Sequence, residues 1–361
     1  MTWMVTGGAG YIGSHVVKAF GEVGLRTVVL DDLSSGHEEF VPAGVPLVRG
    51  SILDTPLVRQ VLTEHAVTGV VHLAGFKYAG VSVQRPLHTY QQNVTGTVNL
   101  LEAMADTGVG AIVFSSSAAT YGTPRTDLVT EDTPTAPESP YGESKLIGEW
   151  LLRDQGRATG LRHTSLRYFN VVGSGSPELY DTSPHNLFPL VLEALLAGRT
   201  PRINGVDYDT PDGTCVRDYV HVADLAHSHV AAAQALAEGR TLERVYNLGS
   251  GQGASVRQIM QTMADVTGID FEPEIGPRRP GDPDRIVASG ELAARDLDWG
   301  CATRCARWPR APGRRVAGRS RPQPEPDGRV ARRRGRPRQP VTRRSESSSP
   351  AIRSSTAWFP A

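Results

Sequence analysis

The chain has 361 residues, which predicts about two domains of ordinary size or one large α/β unit. No apolar run is long enough to span a membrane, and three cysteines are too few for a disulfide scaffold and favour a reducing cytoplasm. The formal net charge of zero hides two opposite parts, because residues 301–361 carry 16 Arg against three acidic residues, or +13, and the rest of the chain carries −13.

Short apolar runs alternate with helix-like stretches along residues 1–299. We predict strands at residues 2–6, 27–30, 70–74 and 112–115, and helices at residues 16–22, 95–107, 142–154, 187–197 and 222–236. Because the chain opens directly on a strand-like run, we expect no signal peptide. Strands that alternate with helices predict an α/β fold with a Rossmann-type, doubly wound parallel sheet.

The composition becomes irregular after residue 170, which predicts a change of domain. We expect the sheet domain to cover residues 1–170. A smaller C-terminal substrate-binding region over residues 171–299 is expected to be partly interleaved with it. Residues 300–361 form an Arg- and Pro-rich tail with few aliphatic side chains. Such a segment cannot offset the entropy that a chain loses on folding, so we expect it to be disordered.

Two interpretations fit the composition of this tail. Clustered Arg is typical of segments that bind nucleic acid or another anionic surface. The alternative is an altered reading frame in a GC-rich gene, which yields Arg, Pro, Ala and Gly, and the three Lys against 35 Arg of the whole chain point to such a gene. We favour the second interpretation and expect no nucleic-acid partner. Cys301 and Cys305 lack the paired spacing of a zinc site, so we assign no metal.

A glycine-rich segment, GGAGYIG at residues 7–13, directly follows the first predicted strand. Gly7, Gly10 and Gly13 allow a tight turn and a close approach of the main chain to a pyrophosphate, whose charge the first N–H groups of the next helix bind. Asp31 closes the next predicted strand, 18 residues after Gly13. A carboxylate there accepts hydrogen bonds from ribose hydroxyls and repels a 2′-phosphate, although the residues around Asp31 also have the composition of an ordinary turn. The sequence therefore predicts an NAD site.

Tyr141 and Lys145 are four residues apart, which places them on one face of a predicted helix. A free phenol has a pKa near 10, and a neighbouring Lys cation together with a positive nicotinamide ring lowers it, so Tyr141 is a candidate base. Ser117 follows an apolar strand at its carboxyl end, where doubly wound folds place ligands, and is a candidate to bridge a substrate hydroxyl and Tyr141. Each feature alone is common on protein surfaces, but their order after the glycine turn and Asp31 points to one site.

With these motifs the sequence resembles the extended short-chain dehydrogenases/reductases and, among them, the UDP-glucose 4-epimerase family. The segments that carry the resemblance are TGGAGYIGSH (6–15), LDDLSSG (30–36), HLAGFKYAGVSVQRPL (72–87), NVTGT (93–97), FSSSAATYG (114–122), SPYGESK (139–145), LRYFNVVG (166–173), PHNLFPLV (184–191), DGTCVRDYVHVADLA (212–226), YNLGSG (246–251) and RRPGDPDRIVAS (278–289). The resemblance covers residues 1–299 and does not extend into the tail.

The resemblance implies a cytoplasmic, homodimeric isomerase of nucleotide sugars. In the mechanism that it implies, Tyr141 removes the proton of the sugar 4-hydroxyl while Ser117 relays or steadies it. The hydride of C4 passes to a tightly bound NAD. The 4-keto sugar then rotates in the pocket and takes the hydride back on its other face, which converts UDP-galactose to UDP-glucose.

The resemblance also implies site residues beyond these two. The implied cofactor contacts are Gly7, Gly10, Tyr11, Ile12, Gly13, Asp31, Leu33, Ser51, Ile52, Ala74, Gly75, Lys77, Ser115, Tyr141, Lys145, Tyr168 and Phe169. The implied substrate contacts are Ser117, Tyr141, Asn170, Asn186, Leu187, Arg217, Arg279 and Asp282. Arginines suit a diphosphate because a guanidinium gives paired, charge-assisted hydrogen bonds.

The sequence departs from the family's pattern at several places. Ser51 stands where the family usually has an Asp near the adenine, and Asn204 stands where an aromatic residue often stacks on the uracil, which predicts weaker contacts to both bases. Ile286 stands where some members have a bulky Tyr, and the smaller side chain leaves room for an N-acetyl group. The family usually has a short amphipathic helix after Trp299, and its loss here predicts lower stability.

Three other interpretations remain. Another sugar-nucleotide enzyme of the same fold is compatible with the motifs, for example a UDP-N-acetylhexosamine or UDP-uronate epimerase or a decarboxylase. A dehydratase is disfavoured because Ala118 and Ala119 stand where it needs an Asp-Glu pair. A non-catalytic NAD-binding regulator tends to lose Tyr or Lys of the catalytic pair, and both are present. A nucleic-acid-binding protein would use the body as a scaffold for the tail, and its DNA binding would be sensitive to salt.

Overall fold

A computed structural model describes residues 1–279 and 282–301, so the expectation of a disordered tail falls almost entirely on residues outside these ranges. The strands are β1 (Thr2–Thr6), β2 (Arg26–Asp31), β3 (Leu47–Arg49), β4 (Gly69–His72), β5 (Ala111–Ser117), β6 (Arg162–Tyr168), β7 (Asn170–Val172), β8 (Arg202–Asn204), β9 (Val216–His221), β10 (Val245–Leu248), β11 (Gly253–Ser255), β12 (Glu274–Gly276) and β13 (Arg285–Ile286). The helices are α1 (Tyr11–Glu22), α2 (Thr55–Glu64), α3 (Ala79–Ser82), α4 (Pro86–Tyr90), α5 (Gly96–Thr107), α6 (Pro140–Thr159), α7 (Leu187–Leu196), α8 (Val222–Ala237), α9 (Val256–Thr267) and α10 (Glu291–Leu297).

Within the described residues, seven strands form a parallel sheet in the order β10-β6-β5-β4-β1-β2-β3. The chain builds outward from β1 first through β2 and β3, and then returns to the other side of β1 to add β4, β5 and β6. This reversal is the mark of a doubly wound sheet, so the predicted α/β fold is confirmed. It opens a crevice at the carboxyl ends of β1 and β4, where folds of this class bind their ligands.

Both faces of the sheet are buried, which explains the continuous apolar runs of its strands. Successive side chains of β1 point to opposite faces, so that Trp3 packs in the cluster that contains Phe20 of α1, and Met4 packs in the cluster that contains Leu62 of α2. Helix α1 begins five residues before the predicted start at residue 16. Gly13 has low helix propensity, which hides the first turn from a sequence pattern.

Strands β7, β9, β11 and β13 form a second, smaller sheet, and β8 pairs with β12. Its apolar core includes Val191 and Leu195 of α7 and Ile259 and Met263 of α9. Strand β10 returns to the main sheet beside β6, so the chain crosses between the two sheets more than once. The domain boundaries expected from the sequence stay a prediction. In the part of the chain that the structure describes, no helix combines enough length with enough apolar character to cross a membrane.

The last described residues pack against the apolar core of the main sheet. Trp299 follows α10, is 5% exposed and packs in one cluster with Ala293 and Leu297. Its indole Nε1 donates a hydrogen bond to the carbonyl oxygen of Asp224 in α8 at 2.6 Å. This Trp therefore anchors α10 to α8 beneath the main sheet.

His72 and His229 are the two most deeply buried histidines among the described residues. The ring nitrogens of His72 lie 2.8 Å from the Thr6 hydroxyl and 3.1 Å from the Thr97 hydroxyl. Burial, together with the nearby charge of Lys145, lowers the pKa of His72 to about 3. His229 of α8 lies with Nδ1 2.9 Å from the carbonyl oxygen of Leu225, and burial lowers its pKa to about 4. Both rings are therefore neutral in the folded protein at pH 5 and above.

We expect Trp299→Ala to lower the free energy of unfolding by about 3–5 kcal/mol, because removal of a buried indole leaves a cavity in the core. Trp299→Phe keeps most of the ring volume but loses the hydrogen bond to Asp224, so the expected loss is smaller, about 1–3 kcal/mol. Urea unfolding followed by circular dichroism measures both values. An Ala variant as stable as the unaltered chain would contradict the anchoring role.

We expect stability to fall on acidification through the two buried histidines. The unfolded chain takes up protons near pH 6.5, whereas both folded rings stay neutral down to about pH 4, so the native state binds fewer protons in this window and its stability decreases as the pH falls. Between pH 7.5 and pH 5 each ring should contribute a loss of about 2 kcal/mol. In His229→Asn, the loss of unfolding free energy between the two pH values should be smaller by the contribution of one ring, about 2 kcal/mol. His227→Asn, on the exposed face of the same helix, is the control that should not reduce it.

Candidate active site

A turn of glycines joins β1 to α1 and brings the main chain close to itself. Gly7 has a φ of +72°, and a Cβ atom built on it would lie 2.8 Å from the backbone nitrogen of Ala74. A Cβ atom on Gly13 would lie 2.1 Å from the carbonyl oxygen of Gly7, so both positions require glycine. The first N–H groups of α1, from Tyr11 onwards, have no partner within the helix and can bind an anion. This turn therefore fits the pyrophosphate of a dinucleotide.

The start of α1 is tied to the segment that follows β7. Gly10 precedes the helix in an extended conformation, and Ile12 packs against the core. The phenol of Tyr11 donates a hydrogen bond to the carbonyl oxygen of Gly173 at 2.7 Å. Burial raises the pKa of Tyr11, and the charge of Asp181 raises it further. Asp181 cannot be identified from the sequence, because it lies in a loop without a recognisable motif.

Asp31 ends β2 beside the glycine turn and is buried. Its two carboxylate oxygens accept hydrogen bonds from the N–H groups of Ala9 and Leu33, each at 2.9 Å. Burial raises the pKa of this carboxyl group, and the two N–H bonds and the charge of Lys77 offset part of the rise. The bond to Asp31 also holds Leu33 in a left-handed conformation with a φ of +59°. The carboxylate is thus fixed at the edge of the crevice.

Ser51 and Ile52 follow β3, which is the neighbour of the strand that carries Asp31. The hydroxyl of Ser51 accepts a hydrogen bond from the N–H of Leu53 at 3.2 Å. Ile52 is buried against α5, where a Cβ atom on Gly96 would lie 2.4 Å from its Cδ1 atom. The structure therefore brings both predicted residues to the Asp31 side of the crevice.

The loop after β4, residues 74–77, holds three predicted cofactor contacts, and Asn93 fixes its shape. Gly75 in this loop has a φ of +144°. Oδ1 of Asn93 accepts a hydrogen bond from the N–H of Phe76 at 2.6 Å, and its Nδ2 donates to the hydroxyl of Ser144 at 2.8 Å. Asn93 therefore joins the loop to α6. The only sequence signal for this residue is its place in the NVTGT segment.

The three predicted catalytic residues meet where β5 ends and α6 begins. Ser117 is the last residue of β5, and its hydroxyl lies close enough to the phenol of Tyr141 to lower the pKa of that phenol. The ammonium group of Lys145 donates a hydrogen bond to the carbonyl oxygen of Ser115 at 2.9 Å. The same group lies 5.8 Å from the centre of the Tyr141 ring. The structure thus brings the predicted trio together.

Local sequence features place α6 against the end of β5. The hydroxyl of Ser139 accepts a hydrogen bond from the N–H of Gly142 at 3.2 Å and caps the helix, and Pro140 occupies its first position. A Cβ atom on Gly142 would lie 2.4 Å from the carbonyl oxygen of Ala119, so glycine permits the close approach. The first turn of α6, which carries Tyr141, is therefore pressed against the segment that follows Ser117.

Enclosure shifts both titratable groups of the trio toward their neutral forms. Burial raises the pKa of Tyr141, and the hydrogen bond with Ser117 offsets part of the rise. Burial lowers the pKa of Lys145 to about 8, while the charge of Glu149 acts in the opposite direction. The sequence predicts that the positive charge of Lys145 lowers the pKa of Tyr141. In the protein alone, burial has the larger effect and raises that pKa. The difference arises because a sequence pattern does not report how far a side chain is removed from water.

Tyr168, a predicted cofactor contact, ends β6 in register with Ser117 of β5. Its phenol lies beside the hydroxyl of Ser115, which is 2.9 Å from Nε2 of His229. Burial raises the pKa of the Tyr168 phenol above its usual value. The phenol is therefore neutral and held beside the catalytic trio.

Phe169, the other aromatic residue predicted for the cofactor site, is buried in a small cluster with Tyr121 and Ile286. Ile286, which stands at the position of a bulky Tyr in some members of the resembled family, belongs to this same cluster. The size of the side chain at residue 286 therefore affects the packing of Phe169 beside the site.

Arg217 on β9 is the centre of a second polar group. Its guanidinium donates to Oδ1 of Asp282 at 2.5 Å and to the carbonyl oxygen of Val216 at 2.8 Å. The hydroxyl of Tyr208 donates to the other oxygen of Asp282 at 3.3 Å. The N–H of Asp282 donates to the carbonyl oxygen of Arg279, whose side chain is exposed. The structure thus joins three predicted substrate contacts and adds Tyr208, which the sequence analysis missed.

The remaining predicted substrate contacts lie at the ends of two elements. Asn170 begins β7 and is exposed, and Leu187 begins α7 and packs against the core of the second sheet. Asn186 precedes α7, and its Nδ2 donates a hydrogen bond to Oδ2 of Asp181 at 2.7 Å. Asp181 therefore binds Asn186, a predicted substrate contact, and its charge also raises the pKa of Tyr11 at the start of α1. Among the described residues, no three His, Cys, Asp or Glu side chains are grouped as metal ligands.

The chain matches the family model described as NAD dependent epimerase/dehydratase family over residues 3–249. It is 45% identical over 300 residues to the UDP-glucose 4-epimerase of Azospirillum brasilense, which covers 82% of this chain and 86% of the relative. It is 43% identical over 303 residues to the UDP-glucose 4-epimerase of Lactobacillus helveticus, covering 83% and 92%. A crystal structure of UDP-glucose-4-epimerase from Stenotrophomonas maltophila with bound NAD and formylated UDP-arabinopyranose has a TM-score of 0.80 and 37% identity, covering 84% of this chain and 94% of that chain.

Proposed function

We propose that this chain, which belongs to the NAD dependent epimerase/dehydratase family, interconverts UDP-galactose and UDP-glucose by NAD-dependent epimerisation at C4 of the sugar. The observation that carries the proposal is the meeting of Ser117, Tyr141 and Lys145 at the carboxyl end of the sheet that also presents the glycine turn. The low cysteine content supports the cytoplasm as its compartment.

Tyr141 is the group that exchanges a proton with the sugar 4-hydroxyl. The hydroxyl of Ser117 lies beside the phenol and can relay the proton or steady the developing charge. The Lys145 ammonium, fixed by the Ser115 carbonyl, lies on the same face of α6 and favours the phenolate by its positive charge. Because burial keeps the pKa of Tyr141 high in the protein alone, the phenol needs further positive charge nearby to act as a base at neutral pH.

NAD would be held by the glycine turn, Asp31 and the loop after β4. A Cβ atom at Gly7 or Gly13 would clash with the backbone of the turn, so glycine keeps the main chain open to a pyrophosphate. The carboxylate of Asp31 beside the turn suits ribose hydroxyls. The chemistry that NAD supplies when bound is reversible acceptance of a hydride from sugar C4, together with the positive charge of the oxidised nicotinamide ring. Lys145 itself is 6% exposed, so little water reaches its ammonium group.

The second sheet would hold the UDP part of the substrate. Arg217 already pairs with Asp282, and a guanidinium has five N–H donors, so others are available to a diphosphate. UDP-N-acetylhexosamines are the second candidate substrates, because Ile286 takes less room than a Tyr beside Phe169. The same assay with each nucleotide sugar separates the two candidates.

We expect the purified chain to convert UDP-galactose to UDP-glucose without added NAD, and Tyr141→Phe to lower kcat by about 10²- to 10⁴-fold, because the general base is lost. Separation of the two nucleotide sugars by anion-exchange chromatography gives the rates. Tyr90→Phe is the matched control, since the Tyr90 hydroxyl is bonded to Glu143 and lies outside the catalytic trio. It should retain most of the activity.

Absence of conversion by a folded chain, both with and without supplied NAD, would contradict the proposed function. Conversion of UDP-N-acetylgalactosamine or UDP-glucuronate in place of UDP-galactose would assign a different substrate to the same epimerisation reaction. Release of NAD from the purified chain on denaturation, read by its ultraviolet absorbance, tests the tight binding separately.

We also propose a homodimer that forms through an apolar surface beside α6. Leu87 of α4 is 82% exposed, Val83 after α3 is 61% exposed, and Trp150 of α6 itself is 47% exposed. Helices α3 and α4 both pack on α6, so these side chains belong to neighbouring elements. Exposed large apolar side chains on adjacent helices are typical of an interaction surface.

Trp150→Glu should convert the dimer to monomers, because the two-fold symmetry of a homodimer places the new charge in the interface twice. Size-exclusion chromatography with light scattering should give a mass close to that of the single 38.8 kDa chain for the variant, and twice that mass for the unaltered protein. Leu196→Glu, at a more exposed site on α7 (78% against 47% for Trp150), is the control and should stay dimeric. A monomeric unaltered protein at micromolar concentration would contradict the proposal.

A further inference from the structure

A buried ion pair, Glu149 with Arg167, lies next to the catalytic trio and has no part in the mechanism given above. Both side chains are 6% exposed, and Nε and Nη2 of Arg167 donate to the two carboxylate oxygens of Glu149 at 2.8 and 2.5 Å. The hydroxyl of Ser116 donates to Oε1 of Glu149 at 2.5 Å. Burial of two charges is costly compared with an apolar pair of similar size, so packing alone does not account for them.

The position of Glu149 on α6 links this pair to Lys145. Tyr141, Lys145 and Glu149 follow one another at intervals of four residues, so their side chains share one face of the helix. Consecutive residues of β5 hold two of them, because the Ser115 carbonyl accepts from the ammonium and the Ser116 hydroxyl donates to the carboxylate. Burial lowers the pKa of Lys145, and the negative charge of Glu149 opposes that effect.

Four titratable groups near Lys145 stay neutral around pH 7. The Lys145 ammonium lies 5.8 Å from the centre of the Tyr141 ring, its charge lowers the pKa of His72, and the Ser115 that binds it has its hydroxyl 2.9 Å from Nε2 of His229 and beside Tyr168. Burial lowers the pKa of the two histidines to about 3 and about 4, and raises the pKa of both phenols. None of these four groups therefore carries a charge that opposes Glu149, whereas the Arg167 guanidinium, which is paired with it, does so in part.

We propose that Glu149 is a positioning residue for Lys145: its buried carboxylate, held by Arg167 and Ser116, is the counter-charge that keeps the Lys145 ammonium charged beside Tyr141. Arg167 makes the burial of the carboxylate possible, and its guanidinium lies 4.7 Å from the centre of the Tyr121 ring, which holds it from the other side. The inference rests on the proposed function, because the charge of Lys145 matters to the reaction only where Tyr141 is the base.

The titration of Lys145 can be observed directly. The sequence has three lysines, Lys18, Lys77 and Lys145, so selective ¹³C labelling of lysine gives three Cε signals, which Lys→Arg variants at the first two positions assign. In Glu149→Gln the midpoint of the Lys145 titration should fall by about one pH unit. The alkaline limit of kcat should move to lower pH with it, because a neutral Lys145 no longer favours the phenolate.

Ser116→Ala is the matched control, since it removes one hydrogen bond to the same carboxylate and no charge. Its Lys145 midpoint should stay within about 0.2 pH units of the unaltered chain, because the charge of Glu149 is retained. If Glu149→Gln does not fold, the double variant Glu149→Gln, Arg167→Gln leaves no unpaired buried charge, and its midpoint should still fall.

An unchanged Lys145 midpoint in a folded Glu149→Gln or double variant would overturn the proposal and leave Glu149 a structural role only. The titration requires no substrate. A chain that shows the lowered midpoint but converts no nucleotide sugar would therefore support the pairing of Glu149 with Lys145 and count against the proposed function.

Discussion

The hydrogen bond from the Lys145 ammonium to the Ser115 carbonyl joins α6 to the carboxyl end of β5, and the rest of the site depends on this junction. Strand β5 lies between β4 and β6 in the middle of the sheet, so its end cannot shift without disturbing both neighbours. Helix α6 is fixed at its start by the Ser139 cap and by the close approach of Gly142. The phenol of Tyr141 therefore meets Ser117 because two rigid elements meet, which gives a more exact geometry than two loops would.

The same burial that makes this junction rigid works against the charges that the chemistry needs. It lowers the pKa of Lys145 to about 8 and raises that of Tyr141, so both groups tend toward neutrality. A site of this kind needs compensating charges that the low-dielectric surroundings make effective. The buried carboxylate of Glu149 supplies one from the protein, and the cationic ring of a bound NAD would supply another. Such charges would offset the effect of burial on the two groups.

Several features could be predicted from the sequence because their causes are local. The strand at residues 2–6 has the predicted bounds, since a buried strand of a parallel sheet is a short apolar run. The glycine turn could be recognised because a left-handed φ at Gly7 and the close contact at Gly13 exclude other residues. The pairing of Tyr141 with Lys145 on one face followed from their spacing of four residues on a helix. The observed α1 begins five residues before the predicted start, because the contacts of Gly13 in the turn override its weak helix propensity.

The surroundings of these residues could not be predicted in the same way. The bonds of Asn93 to Phe76 and Ser144, and of Glu149 to Arg167, join residues between 17 and 51 positions apart, which only the order of the strands brings together. Asn, Glu and Arg are ordinary surface residues, so no local pattern marks them. The sequence by itself determined the fold class and the glycine turn, and it predicted which groups react. The tertiary structure alone decided their protonation and their partners, because burial and distance between charges depend on how distant segments pack.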